Sequence, residues 1–140
     1  MTSFKLQTNQ ATAYFDPQTQ VAHIRYNGVL SADVTIEVYR WLDQLYQQVG
    51  TQNINGQIFD FRDVQAFSED NLQIARKTSN RMNMKVDNSH IPVALIVANH
   101  EQEEILRGPM RIPAEHVRKR IVWSDEEARQ FLVEWKQKHG

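Results

Sequence analysis

Residues 57–72 read Gln57-Ile58-Phe59-Asp60-Phe61, then Arg62-Asp63-Val64-Gln65-Ala66-Phe67, then Ser68-Glu69-Asp70-Asn71-Leu72. The first block has the branched and aromatic character of a short buried strand. The second opens on Arg62-Asp63, so that Asp60 and Asp63 flank the arginine, and reads as a loop. Ser68 followed by acidic residues is the start of a capped helix. A buried strand leading through a loop into a helix is the repeating unit of an α/β sheet.

The flanking sequence extends the alternation. Residues 1–10 are polar and predict either a flexible arm or part of a first strand. Residues 11–15 and 21–26 predict a β-hairpin around Asp16-Pro17-Gln18-Thr19, ended by Asn27-Gly28. Ser31 is the expected cap of a first helix, with Val34, Val38, Trp41, Leu42, Leu45 and Val49 on one face and Gly50 as its stop. Ile36, Tyr39 and Tyr46 fall off that stripe. The second helix puts Leu72, Ala75, Ser79, Met82 and Val86 inward, and Met84 outward. The apolar run within 91–98 predicts a central strand covered on both faces. A third helix near Asn99 is interrupted by Gly108-Pro109, and residues 120–123 make a last strand. Ser124-Asp125-Glu126-Glu127 is a capping box opening a fourth helix, with Ala128, Phe131, Leu132 and Trp135 inward. The expected order is β-β-α-β-α-β-α-β-α, an α/β fold with a mostly parallel five-stranded sheet, an N-terminal hairpin and four helices.

Composition narrows the function classes. A chain of 140 residues suits a single domain spanning 1–140. Sixteen basic residues against 17 acidic ones leave a formal charge of -1, which argues against nonspecific nucleic-acid binding. With no cysteine there is no disulfide, thiolate chemistry or cysteine-type zinc site. No signal peptide or membrane-length apolar run is evident, so a cytoplasmic location is expected.

Four pieces in this order resemble the SpoIIAA-like family, which is related to STAS domains within a Sec14/CRAL-TRIO-like superfamily. They are Gly28-Val29-Leu30 at the hairpin end, Asp60-Phe61-Arg62-Asp63-Val64, the strand Val93-Ala94-Leu95-Ile96-Val97-Ala98, and Val122-Trp123-Ser124-Asp125-Glu126-Glu127-Ala128 before Trp135. The resemblance implies anti-sigma-factor-antagonist-like regulation, and its wider superfamily implies a lipid-like ligand. In the sigma-factor branch, a serine at the start of the second helix is phosphorylated. Counting from Asp63-Val64, that acceptor position falls on Asp70 and the motif's aspartate falls on Ser68. A serine kinase cannot phosphorylate a carboxylate, so the switch does not carry over. Asp70 resembles at most a permanent partial mimic of the charged state.

The loops after parallel strands are the usual ligand edge of such sheets. Here the first helical turns are acidic, through Asp33, Glu69, Asp70, Glu101, Asp125, Glu126 and Glu127, which disfavours phosphate. His100 and Glu104 share a helical spacing, yet no third ligand accompanies them, so no metal and no cofactor are expected. Asp60 and Asp63 around Arg62 suit ion pairing better than paired acid–base work. Arg107, Arg111, Arg118, Lys119 and Arg120 predict a basic patch around the broken helix. The sequence therefore predicts a non-catalytic binding or regulatory module, recognising a protein partner or a small apolar, lipid-like ligand, or self-associating. The expected contact residues are Arg62, Ser68, Asp70, Met84, Arg107, Met110, Arg111 and Ile112, with the segment after Ile105 as a mobile flap. The alternative is a small enzyme with a carboxylate and histidine site at the strand ends, drawn from Asp60, Asp63 and His100.

Overall fold

The computed structural model of the chain describes residues 4–70, 73, 74, 77, 90–107 and 118–139. Six strands form one sheet in sequence order: β1 Lys5–Gln7, β2 Ala11–Asp16, β3 Val21–Leu30, β4 Gly56–Phe67, β5 Val93–Ile96 and β6 Lys119–Val122. The pairs β1–β2 and β2–β3 are antiparallel, and β3–β4, β4–β5 and β5–β6 are parallel. Three helices are delimited: α1 Ala32–Val49, α2 His100–Arg107 and α3 Asp125–His139. The expected helix after Ser68 shows helical backbone at Glu69, Asp70, Gln73, Ile74 and Lys77. Its remainder, including Met82 and Met84, lies outside the described residues.

Two expectations about the strands are corrected. The sheet has six strands, not five, because Lys5–Gln7 pairs along β2. Phe4 anchors this start by lying 5.5 Å from Trp41, ring centre to ring centre. The expected loop after Phe61 is also strand: β4 runs 12 residues, to Phe67. It continues because β3 continues beside it through Asn27 and Gly28, and Leu30 still pairs with Phe67. Register shifts fall at Arg25/Asn27 and Gly28/Val29, and Gly28 sits between them at φ +70. A glycine there bends the pair where a side chain would be strained. The sequence signal that looked like a strand end is a bulge.

Period-2 alternation sorts the strands onto two faces. Ala13, Phe15, Ile24, Tyr26, Phe59, Phe61, Val93 and Leu95 face α1 and α2, and Leu106 of α2 is buried with them. Val38, Leu42 and Leu45 of α1 are at most 1% exposed; each such side chain contributes about 1.5–3 kcal/mol. Tyr46, expected off the inner stripe, is buried, because Gln57 of β4 donates a hydrogen bond to its hydroxyl. On the other face, Ile58, Ala94, Ile96 and Val122 meet Ala128, Phe131, Leu132 and Trp135 of α3. The Ser124 cap works as read: its hydroxyl accepts from the Glu127 N–H, while Glu127 reaches back to the Trp123 N–H.

Leu132 lies directly over Gly56. A Cβ on Gly56 would stand 2.7 Å from one terminal carbon of Leu132 and 2.8 Å from the other. Gly56→Ala is expected to force this buried side chain aside and cost about 1–2 kcal/mol. A thermal melt of the variant, falling by several degrees, checks this; an unchanged midpoint would show that Leu132 has room.

Candidate functional site

α3 packs on β4–β6 and on Val21 at the start of β3, and leaves the rest of that sheet face open. Thr12 and Tyr14 of β2 and Arg25 of β3 remain exposed, and His23 is half-buried. Tyr14 and His23 sit opposite each other in the ladder and stack at 4.7 Å with a 7° interplanar angle. Burial holds the His23 imidazole below its ordinary range, against opposition from Asp16 and Asp125. Beside this pair an open groove of about 310 Å³ runs between the strands and the start of α3, lined also by Ile58, Asp60, Arg62 and Asp125.

The groove's charges pair with one another. Arg62 at the end of the buried part of β4 folds back on Asp60, with Nε 3.0 Å from Oδ1 and Nη2 2.8 Å from Oδ2. The backbone N–H of Arg62 also donates to Asp60 Oδ1, at 3.0 Å. The same Nη2 reaches Asp125 Oδ2, at 3.0 Å, on the first turn of α3. From β3, Arg25 binds Asp63 through Nε at 3.0 Å and Nη2 at 2.5 Å, and approaches Asp60 to 4.0 Å. Burial pushes the Asp60 carboxyl up. The hydrogen bonds from Arg62, with the charges of Arg62 and Arg25, outweigh burial and hold it below the usual carboxylate range. Acid–base work at neutral pH needs a carboxyl raised toward that pH. This one is lowered and multiply bonded, which suits fastening the start of α3 to β4.

Just past β4, Ser68 donates its N–H to the Leu30 carbonyl and its hydroxyl to Asp70 Oδ1, at 2.5 Å. Gln102 of α2, which sequence reasoning passed over, ties this edge together. It is 5% exposed, donates Nε2 to the Val64 carbonyl at 3.0 Å and accepts the Ala98 N–H at 2.8 Å. The Asn99 side chain accepts the Gln102 N–H at 2.9 Å. The spacing Asn99-x-x-Gln102 is that of a capping box, the signal that could have found it.

Arg62, Ser68 and Asp70 therefore lie at the strand-end edge, whereas Arg107 pairs with Glu103 at 3.3 Å on the exposed side of α2. Met84, Met110, Arg111 and Ile112, with the expected break at Gly108-Pro109, lie outside the described residues; of the expected flap after Ile105, Leu106 and Arg107 are the last turn of α2. His100 packs edge-on against Trp123, at 5.3 Å, and contacts Glu103; it is not part of the Asp60 cluster. The expected basic patch is dispersed among the described residues. Arg118 is buried, Arg120 lies 4.5 Å over the Phe131 ring and 3.9 Å from Glu134, and Arg107 is engaged by Glu103. Adjacent strand positions point to opposite faces, so a run of cations in sequence does not form one surface. Among the described residues no group of three histidines, aspartates or glutamates is placed to hold a metal, and no helix is long and apolar enough to cross a membrane.

No family model and no curated protein matches the chain. Solved structures do. A DUF3478-family protein with a SpoIIAA-like fold from Shewanella loihica is 14% identical, over 94% of this chain and 92% of that one, with a TM-score of 0.53. The anti-sigma factor antagonist SpoIIAA, in its unphosphorylated form, is 10% identical over 95% and 98%, with a TM-score of 0.53. The murine Slc26a9 anion transporter, in its inward-facing state, is 12% identical over 91% of this chain but only 23% of its own, with a TM-score of 0.60. At such identities the likeness is one of fold, and the fold of this chain is SpoIIAA-like.

Proposed function

We propose that the chain is a regulatory module without catalytic activity that binds a protein partner across the strand-end edge. The observation that carries this is the exposure of two separate large apolar side chains at that end of the sheet. Trp123, just past β6, is 39% exposed, and Val29, near the end of β3, is 47% exposed. An exposed tryptophan beside polar and charged groups is the composition of a protein contact. The likeness to an anti-sigma factor antagonist supports a partner of this kind. The paired charges of Asp60, Asp63, Arg25 and Arg62 support binding over chemistry, since none is poised to exchange a proton. The groove beside Tyr14 is lined by arginine and aspartate, so it supports polar contacts rather than a lipid tail.

Cross-linking and mass spectrometry in extracts of the chain's own host would test this. The expected result is a defined partner joined near Trp123, with recovery reduced about tenfold or more by the double variant Val29→Ser with Trp123→Ser, as for a central aromatic contact. Equal recovery with both forms, or cross-links confined to other faces, would remove this edge as the docking surface.

A further inference from the structure

One row across the sheet face beside α3 runs Lys5, Tyr14, His23 and Ile58, each opposite the next. The Tyr14 and His23 rings lie 4.7 Å apart and nearly parallel, which is the spacing of the strands themselves. They therefore stand on the sheet as two plates, one per strand. The second face of Tyr14 is turned along the row toward Lys5, and that of His23 toward Ile58. The groove of about 310 Å³ has Ile58 in its lining, with Asp60, Arg62 and Asp125 at the start of α3. Ligand pockets run from about 300 to 1,000 Å³, so this groove is matched to one flat side chain rather than to a larger molecule.

The charges at this place form one alternating chain: Asp63, Arg25, Asp60, Arg62, Asp125. It ends on a carboxylate at both ends, so one negative charge is left over. Asp125 is the end that lines the groove. Its side chain is 58% exposed; Oδ2 takes the bond from Arg62, and Oδ1 has no partner among the described residues. Asp16 and Arg129, the other charges that act on His23 besides Asp125, are opposite in sign and leave the excess unchanged. Lys5 stands across Tyr14 from the groove. His23, held below its ordinary range by burial, is neutral at pH 7 and does not repel a cation. A ligand that completes this site must be flat, to lie on the imidazole, and positively charged, to extend the chain beyond Asp125. A guanidinium is both, and donates through a planar fork to a carboxylate. An ammonium lacks the plane, and an anion meets the excess charge of the acids.

We propose that this groove receives the guanidinium of an arginine presented by a partner peptide, stacked on His23 and hydrogen-bonded to Asp125. The groove is open, so the peptide carrying the arginine stays outside it. A free small ligand has about 70–90% of its surface buried in its pocket, which this groove does not provide. The site lies on the sheet face and does not depend on the contact at Trp123; either can fail with the other intact.

The test titrates the intact, isotope-labelled chain by NMR with an acetylated and amidated Gly-Arg-Gly peptide, with its citrulline and lysine counterparts, and with free arginine. The expected result is a saturable shift of the His23 and Tyr14 ring signals and of the Asp60 and Asp125 amides. Citrulline keeps the plane but not the charge, and should bind about tenfold more weakly; lysine keeps the charge but not the plane, and should bind about threefold more weakly. Asp125→Asn, which retains an oxygen for Arg62, should weaken the arginine peptide about tenfold. His23→Leu, which fills the same space without the imidazole, should weaken it about threefold. Glu101→Gln, an equal change of charge on the exposed side of α2, should have no effect. Shifts confined to other faces, citrulline binding as well as arginine, or Asp125→Asn binding as well as Glu101→Gln would overturn the proposal. Free arginine binding as tightly as the peptide would overturn the assignment to a peptide.

Discussion

Arg62→Met is expected to destabilise the chain by about 2 kcal/mol at pH 7, and the loss should shrink as the pH is lowered. Asp60 is 7% exposed and takes three hydrogen bonds from Arg62, two of them from the side chain. Removing the guanidinium leaves a buried carboxylate whose nearest remaining cation, Arg25, stands at 4.0 Å. Breaking a fully buried pair costs about 3–5 kcal/mol; the Arg62 side chain is 31% exposed, which lowers the figure. The pH dependence follows from the two carboxyl states. In the native chain the Asp60 carboxyl is lowered, so its contribution is complete above the unfolded value of about 3.9 and is lost as pH falls through the native value. In the variant, burial dominates and the carboxyl is raised above its unfolded value. Its penalty is then complete at neutral pH and fades as acid protonates it. Urea unfolding of both proteins at pH 7 and pH 4.5, followed by the fluorescence of the three tryptophans, should show a gap that narrows with acid. A gap independent of pH would mean that the loss comes from packing of the arginine stem and not from Asp60.

That cluster also shows how far the residues alone could be read. Asp60, Arg62 and Asp63 lie within four positions of one another, and their mutual pairing is a local matter of charge. Arg25 and Asp125 enter it only because β3 lies against β4 and α3 begins beside it. No spacing in the chain announces those contacts. The central strands were legible because Ile58, Phe59, Val93 and Ile96 belong to runs buried on both faces. The extension of β4 through Arg62 and Asp63 was not, because its residues resemble a loop until Gly28 lets β3 bend alongside. β1 was open for a like reason: Leu6 is the lone apolar residue of Lys5–Gln7, and its order comes from pairing with β2 and from Phe4 resting on Trp41. Arg118 and Lys119 looked like part of a surface patch because charge predicts exposure. The start of a strand in a packed sheet overrode that expectation.

Gln102→Glu is expected to be the more damaging single change, at about 3 kcal/mol near neutral pH, although it alters one atom group. The native amide both donates and accepts: Nε2 gives its hydrogen to the Val64 carbonyl while Oε1 takes the Ala98 N–H. A carboxylate can keep the second contact but meets the Val64 carbonyl oxygen with another acceptor. The lost bond leaves a buried carbonyl unsatisfied, at about 1–3 kcal/mol, and a charge is placed where the native residue is 5% exposed. Both effects favour the protonated acid, whose hydroxyl can donate to Val64, so the new carboxyl should titrate above the ordinary glutamate value of about 4.3. Because its folded value is the raised one, the penalty is full above that value and recedes as pH falls through it. Gln102→Leu separates the causes. It loses both side-chain bonds without introducing charge, so it should cost about 2 kcal/mol with little dependence on pH. Unfolding midpoints for the two variants, measured from pH 7 to pH 5, should therefore converge or cross. If Gln102→Glu stays below Gln102→Leu by a fixed amount throughout, the carboxyl is not held against Val64, and the edge formed by β4 and α2 is looser than these bonds require.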